Sequence, residues 1–155
     1  MRWKTAAIGT VAALLGFAAG GSGFARAAGS TDETLVVVQQ APDQQFVDLG
    51  APGPSPGDIL VFHSALTDTT GGDVGDLNIQ CGLNFSRLAV CLGIFSIDGR
   101  GQISVDALPE FPLPATGIVT GGNGDFRNVR GEADIQPQQD ATTLITFHLI
   151  GVRAR

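Results

Sequence analysis

Gly121-Gly122-Asn123-Gly124-Asp125-Phe126-Arg127-Asn128-Val129-Arg130-Gly131 is the stretch whose reading decides the fold. Its glycines permit positive φ and tight turns that residues with a Cβ resist. Phe126 is its only aromatic side chain and is expected to plug a core at the turn. Arg130 is expected to be a structural or pocket arginine at the start of the next strand. On the N-terminal side, Ala115–Thr120 reads as a short strand. On the C-terminal side, Val129–Ile135 and Thr142–Val152 read as the last two strands, joined by the polar segment Gln136–Ala141.

Further upstream the same punctuation repeats. Thr34–Gln39 (TLVVVQ) is a β-branched run and predicts a strand. Gln40–Gly57 carries Pro42, Pro52, Pro54 and Pro56 and predicts a long irregular connection with a short turn around Gln44–Val47. Asp58–Leu66 predicts a strand with Ile59, Val61, His63 and Ala65 on one face and Leu60, Phe62, Ser64 and Leu66 on the other. Both faces are partly apolar, as in a barrel wall that also meets a partner subunit. Asp76–Leu83 and Leu88–Ile97 predict a hairpin about Asn84–Arg87, and Gln102–Leu108 a further strand after the turn Asp98-Gly99-Arg100-Gly101. Short strands at regular spacing with glycine-rich turns indicate an all-β barrel or sandwich.

Cys81 and Cys91 lie equally far from Ser86, so an antiparallel pair centred there sets them opposite one another. An even count in an exported chain points to a disulfide; two buried thiols and a metal or catalytic thiol remain the alternatives. Export itself is read from the first residues. Arg2 and Lys4 precede the apolar run Thr5–Gly20, and Ala25-Arg26-Ala27 has the form of a cleavage site. The expected organisation is a signal peptide over 1–27, an N-terminal strand and Pro/Gly-rich connection over 28–57, and the main part of the barrel over 58–155. The competing reading is a retained anchor, but the run is short and rich in Ala and Gly for a span of about 30 Å. Beyond Ala27 there are six Arg, no Lys and 15 Asp and Glu, a net charge of −9. So few cations cannot line a nucleic-acid groove, and an anionic membrane surface is disfavoured for the same reason. Neither nucleic-acid binding nor stable membrane insertion after cleavage is expected.

The glycine segment resembles that of the dirigent proteins, in which a similar glycine turn precedes Phe and an Arg-Gly pair. Gly57-Asp58, Val61–Asp68, Gly72–Gln80 and Gly101–Val105 are similar in layout and order to further strands and turns of the superfamily of dirigent proteins and allene oxide cyclases. The resemblance implies an eight-stranded antiparallel, lipocalin-like barrel and a bacterial secreted member. Its implied activity is that of a cyclase or stereochemistry-guiding protein acting on a hydrophobic small molecule. Related barrels imply a homodimer or homotrimer. The plant proteins carry a pair of pocket acids on their first barrel strand, where this chain has His63 and Ser64.

Several residues are candidates for chemistry. An inward His63 could exchange a proton near neutral pH, or it could be a structural histidine at a loop or subunit contact. Asp106, if turned into an apolar barrel, would be a carboxyl with a raised pKa and a usable acid; on the solvated face it would be ordinary polarity. Arg130 could serve a pocket or pair with Glu132 and Asp134 on its own strand face. Phe62, Ser64, Asn78, Gln80 and His148 are candidate ligand contacts. No G-x-S-x-G elbow, phosphate loop, H-E-x-x-H or calcium loop occurs, so no cofactor and no metal are expected. Two functions follow. One is a cofactor-independent isomerase or cyclase that folds its substrate for ring closure. The other is a non-catalytic secreted barrel, a carrier or a structural cell-surface protein. A polar cluster around His63 inside the barrel would mark the first, and a wholly apolar or side-chain-filled interior the second.

Overall fold

In the computed structural model residues 29–85, 89–109 and 114–154 are described. The expected leader over 1–27 and the turn residues Ser86 and Arg87 lie outside them. Apolar residues alternate with polar ones along most of the chain, and each alternating run is a strand. The strands are β1 Ser30–Gln39, β2 Asp43–Val47, β3 Ile59–Thr67, β4 Asp73–Leu83, β5 Ala89–Ile97, β6 Gly101–Ala107, β7 Ala115–Gly122, β8 Arg130–Pro137 and β9 Thr143–Arg153. Every neighbouring pair is antiparallel, in the order β1-β9-β8-β7-β6-β5-β4-β3-β2.

The sheet closes where Val38 and Gln39 of β1 pair with Thr67 and Leu66 of β3. Beyond Pro42 the chain resumes as β2 and pairs with Ile59–His63 of the same strand. β1 and β2 thus act as one bent stave, and the result is the expected closed eight-stranded antiparallel barrel. Closure leaves few unpaired strand edges to template aggregation. β2 replaces the irregular turn expected at Gln44–Val47. Its sequence DQQFV carries no alternation of its own; the free half of β3 supplies the ladder, so tertiary context makes the strand.

One end of the barrel is solid. Val37, Leu66, Leu77, Ile97, Ile103, Phe126, Phe147, Leu149 and Val152 form a single buried cluster there. Phe126 belongs to a 3-10 helix, Gly124–Phe126, and is fully buried as a plug. Gly124 has φ 60°, and a Cβ on it would collide with the carbonyl oxygen of Arg100. The Arg100 guanidinium lies 4.6 Å from the Phe126 ring centroid and donates to both carboxylate oxygens of Glu33 at 2.6 and 2.7 Å. That bidentate bond, foremost, raises the pKa of Arg100. The plug, the β5–β6 turn and β1 are joined through this one side chain.

At the other end a smaller cluster holds Cys81, Ala89 and Cys91 with Leu60, Phe62, Ile79 and Leu83 against it. Cys81 and Cys91 face each other in the β4–β5 register and are bonded as a disulfide, Cα to Cα 4.0 Å. The connection between β2 and β3 is fastened by Asp58, which has no exposed surface. Its carboxylate accepts from the backbone N–H of Leu49 at 2.8 Å and of Ser55 at 2.6 Å. The Leu49 bond, foremost, holds the carboxyl below its usual range against the opposing cost of burial.

Candidate functional site

Between the solid core and the disulfide end the barrel encloses a cavity of about 190 Å³. Strand parity builds it. The inward residues of β5 are Cys91, Gly93 and Phe95; β4 adds Ile79 and Cys81, β6 adds Val105 and Ala107, and β3 adds Phe62. Phe95 sits deepest on β5, its ring edge-on to Phe147 at 4.9 Å. This aromatic pair divides the cavity from the solid core. Ala107 and Ala115 leave the space that larger inward side chains would occupy, and a Cβ on Gly93 would press on the Phe95 ring at 3.3 Å. Pro42 and Pro109 stand at the mouth.

Polar groups in the cavity are confined to one stripe. Gln39 ends β1, and its register partner on β9 is Thr143; both line the cavity. Gln39 is 8% exposed, and its Nε2 donates to Oγ of Ser64, 3% exposed, at 3.0 Å. No titratable side chain lines the cavity among the described residues. Nor do any three His, Cys, Asp or Glu side chains cluster there to hold a metal ion.

The structure distributes the sequence candidates over two faces. Phe62 and Ser64 point inward, Phe62 lining the cavity and Ser64 beneath it. His63, Asp106, Arg130, Asn78, Gln80 and His148 are exposed on the outer wall. His63 lies 3.6 Å from Asp76, and its own register partner is Asn78. Asp106 sits between Leu92 and Ile118 in register, so it is not the buried acid that an inward orientation would have made. Arg130 and His148 share a shallow outer groove of about 670 Å³ with Glu33, Ile118, Glu132 and Ile150. There His148 Nε2 is 3.2 Å from Asp134. No inward polar cluster forms around His63, which is outside, and the interior polarity among the described residues is the Gln39 stripe. Sequence reading passed over Gln39 although one signal was present: Leu35, Val37 and Gln39 share a face, so the polar residue continues an apolar row.

The fold is shared with solved structures. A pyocyanin demethylase is similar at a TM-score of 0.67 and 24% identity, over 76% of this chain and 99% of that one. The Diels–Alderase AbmU from Streptomyces koyangensis is similar at 0.62 and 14% identity, over 77% of this chain and 64% of that one. A pterocarpan synthase dirigent protein is similar at 0.59 and 15% identity, over 81% of this chain and 88% of that one. The fold is the dirigent and cyclase barrel. No protein-family model and no curated relative matches the sequence.

Proposed function

We propose that the protein is a cyclase or stereochemistry-guiding barrel that takes a neutral, hydrophobic small molecule into the cup and holds it in one folded conformer. The observation that carries this reading is an apolar, partly open cup with a single polar stripe and a solid floor. Holding reacting atoms in a near-attack geometry lowers a barrier without any proton transfer, and apolar walls with few fixed polar groups suit that task. His63, Asp106 and Arg130 take no part, because they face away. The near-complete apolarity of the walls favours a second reading, a carrier that binds without accelerating anything.

Ring closure of 1,7,9-decatrien-3-one separates the two. Both new C–C bonds form from the compound's own π electrons, so nothing need be supplied. The expected result is a rate and stereoisomer ratio different from buffer, lost in Ala107→Phe and kept in His63→Ala and Asp106→Asn. A compound that binds the cavity yet closes at the buffer rate and ratio leaves the carrier. Export to an oxidising compartment is part of the same proposal and is supported by the disulfide. Exposed Leu92, Ile118 and Ile150 on the outer wall support a homodimer or homotrimer; a monomer by light scattering would remove that element.

A further inference from the structure

The polar stripe has a direction. Gln39 sits at the seam that closes the barrel, paired with Thr143 of β9 on one side and Leu66 of β3 on the other. Ser64, two residues before Leu66 on the same inward face of β3, holds the Gln39 amide by accepting from Nε2 at 3.0 Å. With Nε2 on Ser64, Oε1 is the end of the amide left to a ligand. The Oε1 atom has no hydrogen-bond partner among the described residues and is not sealed from solvent space. Thr143 is likewise without a side-chain hydrogen bond, and register partners on one face have their Cβ atoms about 5 Å apart. A free acceptor and a free hydroxyl donor therefore stand side by side in a wall that is otherwise apolar.

We propose that Gln39 and Thr143 are the specificity-determining pair of this cavity and that Ser64 is a positioning residue for Gln39. The pair matches one neutral hydroxyl on the ligand, which donates to Gln39 Oε1 and accepts from Thr143 Oγ1. An anion would meet the Gln39 carbonyl oxygen with no cation in the lining to compensate, so anionic ligands are disfavoured. This rests on the proposal that the cavity binds a small molecule. A buried neutral hydrogen bond contributes about 0.5–1.5 kcal/mol net, roughly a 2- to 12-fold difference in affinity.

Three probes of one ring size test it on the disulfide-bonded protein: 2-naphthol, 2-methoxynaphthalene and naphthalene, followed by titration calorimetry. The expected order is naphthol tightest, by roughly 2- to 12-fold over naphthalene, with the methyl ether between or equal to naphthalene. Gln39→Met should reduce the naphthol preference, and Gln39→Met combined with Thr143→Val should abolish it, while naphthalene binding stays. Ser64→Ala should narrow the naphthol preference without abolishing it. Gln39→Leu serves if the Met variant does not fold. Equal affinities in the unsubstituted protein, or a naphthol preference undiminished by removal of Gln39, overturns the proposal and leaves the cavity standing. Failure of naphthalene and naphthol alike to bind overturns the cavity reading, and this inference with it.

Discussion

Replacing both cysteines, Cys81→Ala with Cys91→Ala, should cost about 3 kcal/mol. The figure follows from the chain entropy released when a cross-link spanning ten positions is removed. Against a typical domain stability of 5–15 kcal/mol this is a large fraction, and for a barrel of this size it corresponds to a fall of about 10 °C in Tm. The bond restrains the unfolded chain, so its loss should also raise the urea m-value as the denatured state expands. The native barrel should survive, because β4 and β5 remain paired on both sides, with β3 and β6. Its disulfide end should loosen, since Cys81 and Cys91 carry the smaller cluster and line the cavity. Urea unfolding of the oxidised protein, of the same protein with dithiothreitol and of the double variant gives the three midpoints to compare. The last two should agree with each other and fall below the first. An unchanged midpoint with an unchanged m-value would refute the reasoning, showing that the hairpin is held by its ladder alone.

Phe126→Ala should destabilise by about 3–5 kcal/mol, because the ring is fully buried and the Arg100 guanidinium stacks on it. Phe126→Leu should cost far less, and equal Tm values for the Ala variant and the parent would remove the plug from the account. Asp58 gives a pH signature. Its folded pKa is lowered, above all by the Leu49 N–H, so its contribution is complete above the ordinary carboxylate pKa. That contribution fades as pH falls through the lowered value. The stability difference between the parent and Asp58→Asn should therefore be constant near neutrality and shrink below about pH 5. A difference that stays constant down to pH 3 in urea midpoints would contradict it.

The amino-acid sequence by itself determined every strand but β2 and an all-β fold, and the family resemblance of its glycine segment chose a barrel over a sandwich. Alternation marks a strand wherever one face is apolar, and the glycines of Gly121–Gly131 mark a turn because positive φ excludes other residues. Gly124 illustrates this: φ is 60°, and a Cβ there would strike the carbonyl oxygen of Arg100. Phe126 was readable as a plug for the same reason, an aromatic ring set in a turn with nowhere else to go. The cysteine pairing was readable because equal distance from one turn residue implies cross-strand register. What the sequence could not determine was which face of β3 is inside. Val61 and Ala65 flank His63 with apolar groups just as Phe62 and Leu66 flank Ser64, so alternation has no sign there. Only closure gave it one. Pairing Gln39 with Leu66 and Thr143 sets the curvature of the wall, turns Ser64 and Gln39 inward and leaves His63, Asp106 and Arg130 in solvent. β2 has the same origin, a polar segment made into a strand by the open half of β3. Hydrophobic pattern is a local property and fixes elements. The sidedness of a strand with two apolar faces depends on partners distant in sequence, and with it the identity of the residues that line the site.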